Sequence, residues 1–233
     1  MEYNFSKLWS EQFWGFFKFK NFCMYAEEEE SQAAYYKRLG AIHINEKGKI
    51  IEEPSQLLLD TLIEENRAAL EMIKNQVIVF LFTKYEFMIK DAIKCLLCEQ
   101  PEKILRLTAE YPEYQESLGF SLKEFVKCRS KEEYVAVLSE RLSTHCLSGR
   151  PSTVMKRLRC LLKFKDIDAD TLDDLLEKRN NIVHESKVYE LSLEDLERYY
   201  DTVESLLMTL ALALKRNHIA VADNTGLLDE EEF

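Results

Sequence analysis

Glycine and proline are scarce in this chain, six and four in 233 residues. So few turn-forming residues cannot punctuate a sheet-rich fold of this length, and with 46% apolar residues they favour long helices. No uninterrupted apolar run approaches the roughly 18 residues of a membrane span, and the N-terminus lacks the basic start, apolar stretch and small-residue cleavage site of a secretion signal. A soluble, cytoplasmic protein is therefore expected, with no membrane partner. Absent too are a Gly-rich phosphate loop ending in Lys-Ser/Thr, a Gly-x-Ser-x-Gly elbow and a His-Glu-x-x-His pair. Those absences remove the NTPase, esterase and zinc-protease readings.

Cysteine is present but unorganised. The six thiols, at 23, 95, 98, 128, 146 and 160, are scattered through apolar periodic segments and read as reduced, mostly buried side chains. Cys95 and Cys98 have CxxC spacing, yet they lie inside an apolar helical stretch with no second pair, and His145-Cys146 has no evident third partner. Neither a metal nor a cofactor is expected.

Charge of positive sign is also in deficit. A formal charge of −11 repels a polyanion at long range and argues against generic nucleic-acid coating. The distribution is uneven: Glu27 to Glu30 and Asp229 to Glu232 concentrate acid, whereas Arg141 to Lys165 carries seven Lys and Arg and no acid. Arg150, Lys156, Arg157 and Arg159 in that segment are the candidate phosphate contacts, the alternative being a solvated helix face that balances nearby acids.

The expected fold is all-α, a helical bundle with one short β-hairpin near 41–53. Residues 4–38 read as an N-terminal helix with seven Phe and Trp between Phe5 and Phe19, a density that requires packing on the core or on a second subunit. Residues 41–53 alternate apolar and polar around Asn45-Glu46-Lys47-Gly48, the signature of a hairpin. From Pro54 to about Glu99 the apolar spacing is that of one long helix, apolar all round at Val77 to Phe82 and so central to the bundle. Shorter helices are expected near 102–110, 121–128, 131–145 and 152–163, with a break at Pro112. Asp170 or Thr171 should cap the next helix, and the last should run from Ser192 to Lys215. Three parts follow: an aromatic helix plus hairpin packed on the core (1–53), the bundle (54–218), and a loose acidic tail (219–233).

The chemistry-bearing stretch is Leu172 to Ser186, LDDLLEKRNNIVHES. An Arg-x-x-x-x-His spacing is weak by itself, and Arg38 with His43 also fits it. Arg179 differs because it lies on the apolar stripe of its helix, three and four residues from Leu176, Leu175, Ile182 and Val183, where a cation needs a partner. Asn180 and His184 are an i, i+4 pair and share a face, so the amide is placed to orient the imidazole or a phosphate. Upstream, the helix Tyr85-Glu86-Phe87-Met88-Ile89-Lys90-Asp91 offers a carboxylate, Glu86 first and Asp91 as its substitute.

With that helix, the motif resembles the HEPN family, helical bundles named for higher eukaryotes and prokaryotes nucleotide-binding, with the RiboL-PSP-like branch or a similar defence-associated branch as the nearest in flavour. Tyr85 to Ile93 looks like the family's first motif helix and Arg179 to Glu185 like its Arg-Asn-x-x-x-His helix. Glu185 stands where the family often has a small residue.

The resemblance implies metal-independent RNA cleavage in a homodimer. His184 would transfer protons, Arg179 would stabilise phosphorane charge, Asn180 would position the phosphate or the histidine, and the products would be 2′,3′-cyclic phosphate and 5′-hydroxyl ends. It also implies a toxin or defence effector, with an antitoxin or regulatory protein as a further partner. The alternative is a catalytically silent HEPN module for dimerisation or nucleotide binding. Five residues along an α-helix turn through about 140°, so Arg179 and His184 of one chain do not point together. Two facing copies relieve this.

Overall fold

The computed structural model describes residues 1–28, 30–32, 34, 43–44, 47–48, 50–51, 56–117, 122–164 and 167–229. The described helices are α1 (Phe5–Glu27), α2 (Gln56–Glu99), α3 (Glu102–Glu110), α4 (Glu113–Ser117), α5 (Leu122–Lys127), α6 (Lys131–Cys146), α7 (Pro151–Leu161), α8 (Ala169–Glu185) and α9 (Leu193–Arg216). The chain is an all-α bundle, and the hairpin expected near 41–53 is present as a minimal antiparallel pair, β1 (His43–Ile44) against β2 (Ile50–Ile51).

The axis of the bundle is α2, whose 44 residues make a rod of about 66 Å. From Ile78 to Leu97 it sends Ile78, Leu81, Tyr85, Met88, Ile89, Ala92, Ile93 and Leu96 into the core, the three- and four-residue spacing of a helix face. Helices α6, α8, α9, α3 and α1 pack along it. The stretch from Val77 to Phe82 is central on one side only: Ile78, Leu81 and Phe82 are buried, whereas Phe80 is 40% exposed. The helix is apolar all round here, and the chain covers one of its faces.

Helix α1 is shorter than the expected run to residue 38, ending at Glu27 where Glu28 turns to an extended conformation. Its inner face carries Phe5, Leu8 and Phe16 into the core, with Phe16 stacked on Tyr200 of α9 at 4.4 Å and the Trp9 indole donating to Glu204 at 2.7 Å. Around Pro112, where a break is expected, the chain breaks and then makes the short helix α4.

As far as Leu228 the tail after α9 is not loose, contrary to expectation. Tyr3 and the tail exchange backbone bonds, Tyr3 N–H to the Ala220 carbonyl and Ala222 N–H to the Tyr3 carbonyl, each 2.9 Å. Ile219 and Leu228 are buried, and the Asp223 carboxylate accepts from Thr225 and the Leu228 N–H, folding the loop back. Two apolar anchors and a strand-like bridge outweigh the polarity of the intervening residues. All six cysteines are free; burial pushes the Cys95 and Cys146 thiols up to about 12, which keeps them protonated and unreactive.

Candidate functional site

Helix α8 is fixed at both ends. Its N-cap is Asp168, two and three residues before the expected Asp170 and Thr171; the Asp168 carboxylate accepts from the Thr171 N–H at 3.1 Å and from its hydroxyl at 2.6 Å. Thr171 thus serves the cap as a donor. At the C-terminus Ser186 adopts a left-handed conformation (φ 55°), and the N–H groups of Ser186 and Lys187 return to the Asn181 carbonyl. That closure ends the helix just past His184 and needs no glycine.

The following connector is held by α2. Asn75, 2% exposed, donates to the Tyr189 carbonyl at 2.8 Å and to the Glu71 carbonyl at 2.7 Å, and accepts from the Tyr189 N–H at 2.9 Å. Glu71 accepts from the Leu191 N–H at 3.1 Å and pairs with buried Lys74, which also reaches Glu27 of α1. The Tyr189 hydroxyl in turn accepts from Asn181 at 2.7 Å. The motif helix is therefore tied through its exit to the central helix. Nothing in the sequence pattern singles out Asn75, since an asparagine within a long helix carries no local signature.

Arg179 is half-buried, with its guanidinium over the Phe82 ring at 5.8 Å and its Nη1 donating to the Asn180 side-chain oxygen at 2.9 Å. Its Nε is buried without a partner, and among the described residues Arg179 closes no ion pair. Glu86 is near enough for Arg179 to pull its pKa down, yet burial dominates and holds the Glu86 carboxyl above its ordinary range. The expected Glu86 is thus brought to Arg179 as an electrostatic neighbour. Phe82, one turn earlier, is the residue beneath the guanidinium and was not singled out in the sequence. Its i−4 relation to Glu86 is the signal that would have found it.

Asp91 is not brought to Arg179. It lines a groove of about 370 Å³ between α1 and α2 together with Lys7, Glu11, Lys84 and Phe87, and its charged neighbours are Lys94 and Glu140. Five residues beyond Glu86, it is turned about 140° away.

His184 is exposed in the last turn of α8 and makes no hydrogen bond among the described residues. Asn180 shares its face as expected, but the amide is engaged by Arg179, not by the imidazole. Asn180 and Asn181 line an open cleft of about 550 Å³ with Asp173, Asp174 and Glu177 of α8 and Arg150 of α7. Two of these acids are spent internally. Asp173 accepts from the Ser152 N–H and hydroxyl, each 2.9 Å, capping α7 where Arg150 supplies no side-chain bond. Burial alone would raise Asp174, but Lys178 and Tyr199 both donate to it and hold it below the usual aspartate value.

The basic segment divides. Arg150, Lys156 and Arg159 are exposed, and α7's cap places Arg150 beside the cleft. Arg157 faces inward: its Nη1 donates to the Cys146 carbonyl at 3.1 Å and to Ser148, and its guanidinium lies 5.7 Å over Tyr114. Among the described residues no helix is long and apolar enough to cross a membrane, and no cluster of three His, Cys, Asp or Glu is placed to hold a metal ion.

The RiboL-PSP-HEPN family model matches residues 44–216. The chain belongs to the RiboL-PSP-HEPN family. The match begins at Ile44 within the hairpin and runs to the end of α9, taking in both the Tyr85-Glu86 helix and the Arg179-to-His184 helix, and leaves α1 and the tail outside. No curated protein and no solved structure matches the chain.

Proposed function

We propose that this HEPN protein is an endoribonuclease, a toxin or defence effector of the cytoplasm, whose active site forms when two copies bring α8 helices together. The observation that carries the reading is the contrast on one helix between Arg179 and His184. Arg179 is laid on Phe82 with its charge unpaired and Glu86 nearby, while His184 stands exposed about 140° around the helix. One copy thus offers a fixed anion-binding fork and a free proton-transfer group that cannot serve the same phosphate.

In the proposed reaction the 2′-oxygen of a ribose attacks the adjacent phosphorus. The new 2′-oxygen to phosphorus bond forms as the bond to the 5′-oxygen breaks. A His184 imidazole takes the 2′-hydroxyl proton, and the leaving 5′-oxygen receives a proton, from the second copy's imidazole or from water. Arg179 stabilises the charge gathering on the non-bridging oxygens, and Asn180 fixes the guanidinium that does so. The step as written uses protein groups only. Arg150, Lys156 and Arg159 would guide the RNA strand along α7, each as a phosphate contact. Arg157 is better read as a structural clamp between α6 and α7.

The test is end-group analysis of RNA digested by the purified chain. Wild type should leave 2′,3′-cyclic phosphate and 5′-hydroxyl ends, and His184→Ala and Arg179→Ala should leave the RNA intact while melting as folded proteins. Binding of a nucleotide without cleavage by wild type would select the silent HEPN module, for which Glu185 beside His184 is the sequence feature in favour.

A further inference from the structure

Hydrogen bonds already made around the cleft beside Asn180 decide which of its groups are left for a ligand. Asp173 and Asp174 line it, but each has both carboxylate oxygens engaged, Asp173 by the Ser152 N–H and hydroxyl, Asp174 by Lys178 and Tyr199. Glu177 lines it too, is exposed, and makes no hydrogen bond or ion pair among the described residues. Asn180 gives its side-chain oxygen to Arg179, which can only donate, so the amide N–H₂ of Asn180 is left over. Asn181 gives its N–H₂ to the Tyr189 hydroxyl, so its oxygen is left over. The cleft of about 550 Å³ therefore presents a free carboxylate and an amide oxygen as acceptors and one amide as donor. Helical spacing gathers these groups: Asn180 and Asn181 lie three and four residues after Glu177, neighbours on one face. His184 shares that face, four residues beyond Asn180 and about 6 Å further along the axis.

We propose that this cleft is a subsite for guanine in single-stranded RNA, reading the nucleotide next to the phosphate that His184 serves. The RNA in this proposal rests on the ribonuclease reading; the choice of base rests on the hydrogen-bonding groups alone. Of the four bases, only guanine has two adjacent donors on its Watson–Crick edge, N1–H and N2–H₂, with an acceptor, O6, beside them. The Glu177 carboxylate accepts both donors, the Asn181 oxygen accepts the remaining N2–H, and the Asn180 N–H₂ donates to O6. Adenine and cytosine set one amino group beside a ring acceptor, and uracil sets one N–H between two carbonyls. Each of these three leaves a Glu177 oxygen facing an acceptor or unpaired, which costs affinity. A free carboxylate repels every phosphate of an RNA strand, so base N–H groups are its favourable contact there. Arg150, exposed and lining the same cleft, supplies a flat cation for the base to stack on.

Titration of the full chain with the four ribonucleoside 5′-monophosphates, followed by NMR chemical shifts, tests the base preference without any cleavage. GMP is expected to bind at least about 10-fold more tightly than AMP, CMP or UMP and to move the Asn180 and Asn181 side-chain signals. Glu177→Gln replaces an acceptor oxygen by a donor, so it should lose that margin while melting like wild type. Equal binding of the four nucleotides by wild type, or a guanine preference unchanged in Glu177→Gln, overturns the proposal. Cut-site mapping on RNA of random sequence separates it from the reading it rests on. Wild-type cuts should lie beside guanosine, and the cuts that remain in Glu177→Gln should lack that bias. Cleavage by wild type without base bias overturns the subsite and keeps the ribonuclease. Selective GMP binding by a wild type that cuts no RNA keeps the guanine site and removes the ribonuclease.

Discussion

Arg179 donates to Asn180, its own neighbour on α8, across 2.9 Å. A guanidinium carries five N–H donors, and this one commits its described side-chain bond to an amide while its charge rests on the Phe82 ring. That arrangement fixes direction without neutralising charge, which is what binding an incoming phosphate requires. Arg179→Lys keeps the charge but loses the planar fork and the bond geometry, so cleavage should fall roughly 100-fold with the fold intact. Steady-state cleavage of a labelled RNA alongside a thermal melt checks this.

His184 lies on the surface without a hydrogen-bond partner among the described residues, so His184→Ala should leave stability within about 0.5 kcal/mol of wild type. Cleavage should fall by about 100- to 10,000-fold, the range for losing a proton-transfer group. A thermal melt paired with single-turnover kinetics reads both numbers.

Glu86 is held above its ordinary carboxylate range, first by burial, with Arg179 opposing. A raised folded value means that the folded state gives up this proton less readily than the unfolded chain. The resulting penalty is absent at low pH and grows as pH rises from the ordinary 4.5 through the folded value. Glu86→Gln should therefore melt at an equal or higher temperature at neutral pH and lose that pH dependence. If Glu86 positions Arg179, the same variant cleaves RNA more slowly despite its stability.

Asp174 has the opposite sign. Donors from Lys178 and Tyr199 overcome its burial and hold it below 3.8, so its stabilisation is complete above that value and disappears as pH falls through the lowered one. Melts of wild type and Asp174→Asn should differ at neutral pH and converge in acid once the pH falls below the lowered value.

Asn75→Ala removes three hydrogen bonds from a buried amide and frees the α8–α9 connector. A loss of about 2 kcal/mol is expected by urea denaturation, with hydrogen exchange rising first at Tyr189 and Leu191.

Most of the helices were legible because apolar spacing and caps act locally: α3 runs from 102 to 110 as the spacing predicts, and α9 opens on the Ser192–Asp195 capping box. The hairpin around Gly48 was legible for the same reason. What escaped depends on partners distant in sequence. The tail was read as loose because its anchor is Tyr3, more than two hundred residues away. Arg157 was read as a phosphate contact because its charge is visible in sequence while the Cys146 carbonyl and Tyr114 ring that hold it are not. In the candidate site, Arg179, Asn180 and His184 were proposed from spacing and resemblance, whereas Phe82 beneath the guanidinium and Asn75 behind the connector come only from the packing of α8 on α2.

The central claim is that Arg179 of one copy works with His184 of another, and mixing two dead variants tests it most directly. Arg179→Ala and His184→Ala chains, unfolded together and refolded to exchange subunits, give mixed dimers in which one composite site keeps both groups. Activity should return to about a quarter of wild type, because half the dimers are mixed and each has one working site of two. Mixed dimers that form but cleave no RNA, from a wild type that does, would contradict the account.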